Sequence, residues 1–156
     1  MKKKFSVSIN KKISRYNKTI KISSDKSISL RALILASQCI GLSKIKNVLE
    51  SEDVLNCIKI LKKLGVRIVK KKNIHFVYGN GLSSFKPSRK VLYAGNSGTL
   101  ARMLIALLAT QTNMKVKISG DNSLIKRDMK RVIDPLSKIG CNFYPKNKNT
   151  LPLTIE

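Results

Sequence analysis

Residues 24–31, Ser-Asp-Lys-Ser-Ile-Ser-Leu-Arg, put a lysine, two hydroxyls and an arginine into the opening turns of an apolar segment. At a helix start the first backbone N–H groups have no intrahelical acceptor and the macrodipole is positive, so this grouping suits an anion. A second segment, Ala-Gly-Asn-Ser-Gly-Thr at 94–99, offers the same chemistry in another form. Gly95 and Gly98 let backbone approach a ligand closely, while Asn96, Ser97 and Thr99 can donate side-chain hydrogen bonds. Each segment is followed within one to two turns by an arginine, Arg31 or Arg102, on an otherwise apolar helix. Taken singly, a Ser or Asp before a helix is an ordinary cap, and Gly-x-x-Gly an ordinary turn. Their duplication, each with its own arginine, points to two helix starts facing one shared anionic ligand. No G-x-x-x-x-G-K-[ST] stretch occurs, which disfavours nucleotide hydrolysis.

The elements that must hold these groups repeat along the chain. Residues 27–38 and 98–110 are apolar nearly all round, and each predicts a helix buried on most sides. Val54, Cys57, Ile58, Leu61 and Leu64 follow the i, i+3, i+4, i+7 rhythm and stop at Gly65. Met129, Val132, Ile133, Leu136 and Ile139 do the same and stop at Gly140. Extended segments precede each unit (19–23 and 91–94) and separate its two helices (45–48 and 116–119). After the second helix come 66–69 and 74–78, a hairpin turning at 71–73, and in the second unit 142–144 and 153–155. The fold class is therefore α/β (α+β), with two β-α-β-α-β-β units in tandem. Pro135 should bend the fourth helix. Residues 4–9 alternate like a strand but have no counterpart in the second unit, so their partner is expected outside the chain.

Length and composition agree with one folded unit: 156 residues, 42% of them apolar. The formal charge is +24, from 32 Lys and Arg against 8 Asp and Glu. Nucleic-acid binding is one reading of that charge, but aromatics are only 5% with no Trp, so no stacking platform is visible. A lysine-heavy coding bias accounts for the charge equally well, and no nucleic-acid partner is expected. No apolar run reaches membrane-spanning or signal-peptide length, which predicts a cytoplasmic protein without a membrane partner. Cys39, Cys57 and Cys141 are an odd count without metal-ligand spacing, so reduced thiols and no metal are expected.

Five stretches in order carry a family resemblance: Asp25-Lys26-Ser27-Ile28-Ser29-Leu30-Arg31, Leu49-Glu50-Ser51-Glu52-Asp53, Gly95-Asn96-Ser97-Gly98-Thr99 with Arg102, Lys126-Arg127, and Val132-Ile133-Asp134-Pro135-Leu136. Over about 140 residues the chain resembles the amino-terminal portion of the 5-enolpyruvylshikimate-3-phosphate synthases (3-phosphoshikimate 1-carboxyvinyltransferases), of the enolpyruvyl transferase family. The resemblance implies transfer of the enolpyruvyl group of phosphoenolpyruvate to the 5-hydroxyl of shikimate 3-phosphate with release of phosphate, on the pathway to chorismate and aromatic amino acids. No cofactor and no metal are implied. Lys26 would contact both substrates, Ser27 and Arg31 shikimate 3-phosphate, and Gly98 and Arg127 phosphoenolpyruvate. Asn96 and Arg102 would support the second loop, and Asp53 would orient Lys26 or complement a helix dipole. The UDP-N-acetylglucosamine enolpyruvyl transferases share the architecture, but the Lys26–Arg31 stretch fits the shikimate branch better.

The departures from the family pattern carry expectations of their own. Ser23-Ser24 stand where Pro-Gly is usual, Leu30 stands where a histidine is common, and Asp128 follows Arg127 in place of proline, where it could pair with that arginine. The family's inverse-barrel architecture implies six repeats, of which this chain would hold two. Residues 1–15 would supply an opening strand belonging to the other, absent domain, residues 16–90 the first repeat and residues 91–156 the second. No acidic pair is defensible as general acid and base, so beyond Lys26 no catalytic residue is assigned and the isolated chain is expected to be inactive or nearly so without the remaining repeats.

Overall fold

The computed structural model describes residues 23–146 and 148–156. The anticipated strand at 4–9, and all of the one at 19–23 except Ser23, lie outside the described residues. Asp25 starts the first helix, α1 (Lys26–Gln38), its carboxylate accepting from the Ile28 N–H at 2.7 Å. Next come β1 (Ile40–Lys46), α2 (Glu52–Lys63), β2 (Arg67–Lys71) and β3 (Ile74–Asn80). The second unit has β4 (Leu92–Tyr93), α3 (Gly98–Ala109), β5 (Val116–Ser119), a 3-10 turn at Leu124–Lys126, α4 (Lys130–Lys138), β6 (Phe143–Tyr144) and β7 (Leu153–Ile155).

The repetition extends to topology. Strands β1, β3 and β2 form an antiparallel sheet with β3 central, and β5, β7 and β6 form its equivalent with β7 between its neighbours. Parallel pairing of β4 with β5 adds a fourth strand to the second sheet. Helices α2 and α4 end where their sequence rhythm stops, at Gly65 and Gly140, each with φ near +95° (94° and 99°), a conformation that costs glycine nothing. One apolar core spans both units. Leu30 and Leu33 of α1, Leu61 of α2, and Leu104 and Leu108 of α3 are wholly buried in it, so truncating one to alanine should cost roughly 2–5 kcal/mol.

Three expectations change. The strand anticipated at 45–48 runs instead from Ile40 to Lys46, because long β3 offers a continuous ladder from Ile40↔Asn80 to Lys46↔Ile74. Pairing thus recruits the Gly41 region despite its weak strand pattern, and the ladder ends at Asn47, whose φ is 55°. The hairpin loop is only Lys72 and Asn73, since Lys71 still pairs with Ile74. Helix α1 is buried on one side only: Leu30, Leu33 and Ile34 face the core, while Ile28 and Leu35 are 68% and 66% exposed. Pro135 does lie inside α4, where it leaves the Arg131 carbonyl without its i+4 donor.

Candidate functional site

The N-termini of α1, α2 and α3 converge on one open hollow of about 470 Å³. Its walls are Lys26 from α1, Glu52 and Asp53 from α2, Asn96, Ser97, Gly98, Thr99 and Arg102 around the start of α3, and Arg127. Three dipole ends and three side-chain cations outweigh the two carboxylates, so the hollow favours an anion.

Lys26 is the first residue of α1, and its ammonium lies 2.8 Å from the Asp53 carboxylate. Asp53 sits in the first turn of α2, so its carboxylate both pairs with Lys26 and lies at the positive end of that helix. The registration of the two helix starts comes from Ser29, a buried hydroxyl that donates to the Asp25 carbonyl at 2.7 Å and accepts from the Leu49 N–H at 3.0 Å. One residue on, Glu50 receives a hydrogen bond from Lys70 at 2.7 Å. That bond, opposed by partial desolvation, holds the Glu50 carboxyl below its ordinary range. His75 stands 3.4 Å from Glu50 on the inner side of the sheet, and burial depresses its pKa.

In the second loop the Ser97 hydroxyl is spent on capping, since it accepts from the Leu100 N–H at 3.3 Å. Gly98 then opens α3, where its N–H and that of Thr99 have no helical acceptor. A Cβ on Gly98 would stand 3.0 Å from Arg102 Nη1 and 3.4 Å from Arg127 Nη1, so the bare backbone is what lets two guanidiniums close over it. Arg102 Nη2 donates to the Asp128 carbonyl at 3.1 Å, and its buried Nε has no partner. Arg127 Nη2 donates to Asn96 Oδ1 at 2.6 Å. Arg127 is placed by the 3-10 turn before it, which Asp121 nucleates by accepting from the N–H groups of Ser123 and Leu124 at 3.0 and 2.7 Å.

Six of the eight anticipated residues therefore meet: Lys26, Asp53, Asn96, Gly98, Arg102 and Arg127. Ser27 and Arg31 do not line the hollow; they lie one turn apart on α1, at 100° and 140° from Lys26 by helical geometry. The anticipated competition from Asp128 is not realised. Its carboxylate accepts from the Lys130 N–H at 2.7 Å, and no ion pair with Arg127 forms. Sequence reasoning missed Glu52 as a wall residue and Asp121 as the residue that sets Arg127. For Glu52 the signal was its place beside Asp53, and for Asp121 it was an Asp opening a short turn. No group of three His, Cys, Asp or Glu able to hold a metal occurs among the described residues.

Across residues 10–156 the chain matches the family model described as EPSP synthase (3-phosphoshikimate 1-carboxyvinyltransferase). The chain belongs to the EPSP synthase family. Among its relatives, the 3-phosphoshikimate 1-carboxyvinyltransferase of Sulfurihydrogenibium sp. (strain YO3AOP1) is 42% identical over 147 residues, 94% of this chain and 34% of that protein. The protein of the same name from Petrotoga mobilis is 45% identical over 141 residues, 89% of this chain and 32% of that one. The chain thus spans about a third of the length of the curated relatives it matches. In three dimensions it is similar to an EPSP synthase from Acinetobacter baumannii, with a TM-score of 0.80 and 32% identity over 87% of this chain and 31% of that one. The mixed helix-and-sheet fold is therefore that of EPSP synthase, over part of the enzyme.

Proposed function

We propose that the hollow is the phosphoenolpyruvate side of an active site that transfers the enolpyruvyl group to the 5-hydroxyl of shikimate 3-phosphate and releases phosphate. The observation that carries this reading is the convergence of Lys26, Gly98 and Arg127 on a single cavity in a chain of this family. Phosphoenolpyruvate is multiply anionic. The Arg127 fork suits its phosphate or carboxylate, and the Gly98 N–H reaches an oxygen that a side chain would exclude. Lys26 stands at the α1 edge of the hollow, where it can exchange Asp53 for substrate oxygens on either side. Ser27 and Arg31, further along α1, hold shikimate 3-phosphate outside this hollow. Asn96 steadies Arg127, and Arg102 steadies the segment at Asp128.

Lysine and arginine groups fixed around the departing phosphate stabilise the charge of a tetrahedral intermediate, which is electrostatic catalysis. The two carboxylates of the hollow do not form an acid–base pair, because Asp53 is held by Lys26. Proton transfer is therefore assigned to further repeats, supplied in the same chain or by another. In that scheme residues 16–90 and 91–156 are two of six repeats, and the whole works in the cytoplasm. Among the described residues no helix is long and apolar enough to cross a membrane.

Titration with phosphoenolpyruvate and shikimate 3-phosphate at two salt concentrations, together with a coupled phosphate-release assay, tests the reading. Weak, specific binding without turnover is expected of the 156-residue chain, and turnover once the remaining repeats are supplied. Appreciable turnover by the chain alone would contradict the assignment of proton transfer elsewhere.

A further inference from the structure

The outer face of the β1–β3–β2 sheet carries a combination of groups that the proposed reaction does not use. Side chains alternate along these strands: Ile68, His75 and Val77 point into the core, which puts Phe76 and Tyr78 on the outer side of the central strand. Register places their neighbours. Phe76 lies between Lys44 and Val69, Tyr78 between Leu42 and Arg67, and Ile74 between Lys46 and Lys71. The Arg67 guanidinium stacks 4.7 Å from the centre of the Tyr78 ring. None of the three strands carries an Asp or Glu, and the Glu50 carboxylate is tied to Lys70 and His75, which belong to the inner side. Sequence alone shows no aromatic platform, but strand pairing brings two of the chain's eight Phe and Tyr residues, both partly exposed, to one face.

We propose that this face binds single-stranded nucleic acid without sequence preference. Aromatic side chains at i and i+2 on a central strand stand about 7 Å apart, and the partly exposed Phe76 and Tyr78 lie at a spacing that successive unstacked bases can meet. The Arg67 guanidinium over the Tyr78 ring adds a cation that can itself meet a base or a phosphate. Lys44 and Lys46 on one edge and Arg67 and Lys71 on the other give the sugar–phosphate backbone a cationic border on both sides, within a chain of formal charge +24. The helices pack on the opposite side of the sheet, and the hollow lies at their N-termini, so the two sites are separate.

A fluorescein-labelled oligothymidylate of about 12 nucleotides, followed by anisotropy with the whole chain, tests the proposal. Affinity should fall with salt at a log–log slope of about −3, from four phosphate contacts at about −0.7 each. The double variant Lys44→Glu/Lys46→Glu should weaken binding at least about tenfold. Lys59→Glu/Lys138→Glu, which changes the net charge equally on exposed helix positions, should cost less than about threefold. Phe76→Leu keeps an apolar side chain on the sheet and should cost about fivefold or more, from a lost stack worth about 1–3 kcal/mol. Circular dichroism melts confirm that each variant is folded. Absence of binding at low salt, equal losses from both charge pairs, or full affinity in both Phe76→Leu and Tyr78→Leu would overturn the proposal. The last result would leave only a polyanion-attracting charge, with heparin competing as well as the oligonucleotide. Displacement by phosphoenolpyruvate would place the oligonucleotide in the hollow and overturn it too.

Discussion

Replacing Gly98 with alanine separates what the second loop does for folding from what it does for the ligand. The new methyl would sit 3.0 Å from Arg102 Nη1, 3.4 Å from Arg127 Nη1 and 3.8 Å from Leu124 Cδ1. The closest two are ends of flexible side chains, so a shift of a few tenths of an ångström relieves the contact without moving backbone. Against that small strain stands a gain of roughly 0.4–1 kcal/mol, because alanine at this first helical position leaves the unfolded chain less backbone freedom to lose. Gly98→Ala should therefore melt at the same temperature as the parent or up to about 2–4 °C higher. The ligand meets the opposite balance, because the methyl occupies the space between the two guanidiniums. Loss of one charge-assisted hydrogen bond, about 1.5–3 kcal/mol, weakens phosphoenolpyruvate about ten- to 150-fold. Titrating phosphoenolpyruvate while following the Arg102 and Arg127 Nε–H resonances reads the second quantity, and a thermal melt reads the first. A variant that unfolds, or one that binds phosphoenolpyruvate as the parent does, would refute the reasoning.

Further outcomes follow from other contacts. Lys26→Met should weaken phosphoenolpyruvate at least about tenfold while changing stability by no more than about 1 kcal/mol, because the pair with Asp53 is partly exposed; calorimetric titration and chemical denaturation check the two parts. Burial, reinforced by Lys70 and Lys62 and opposed by Glu50, holds His75 below its ordinary 6.5, so the unfolded chain binds a proton that the folded one refuses. Stability should be intact above pH 6.5 and decline as pH falls below it, with a further loss below 4.5 as Glu50 protonates; denaturation midpoints across pH should show the first decline flattened in His75→Leu. Cys57 is wholly buried and its thiol is pushed up to about 12, whereas Cys39 is exposed. Alkylation mapped by mass spectrometry should label Cys39 under native conditions and Cys57 only after denaturation.

Much of the site was legible because local chemistry fixes it. A Ser or Asp ahead of an apolar run caps a helix wherever that helix finally lies, and Asp25 and Ser97 do so. The hairpin at Lys72-Asn73 and the helix ends at Gly65 and Gly140 likewise rest on residues within a few positions of one another. What escaped depended on partners distant in sequence. β1 begins at Ile40 because β3 is long enough to pair with it, and Asp128 forms no ion pair with Arg127 because its carboxylate accepts from the Lys130 N–H while Arg127 turns to Asn96.

By itself the sequence determined the repetition, two helix starts rich in groups that suit an anion, and the family, since each is written in short stretches whose order and spacing survive without the fold. Only the tertiary structure decided that Lys26, Asp53, Gly98 and Arg127 share a hollow from which Ser27 and Arg31 stand apart, and that Phe76 and Tyr78 lie together among cations on an outer sheet face. The physical reason is common to both. Convergence of charges is a property of helix packing and strand register, which bring together residues up to about a hundred positions apart, and no local spacing encodes it.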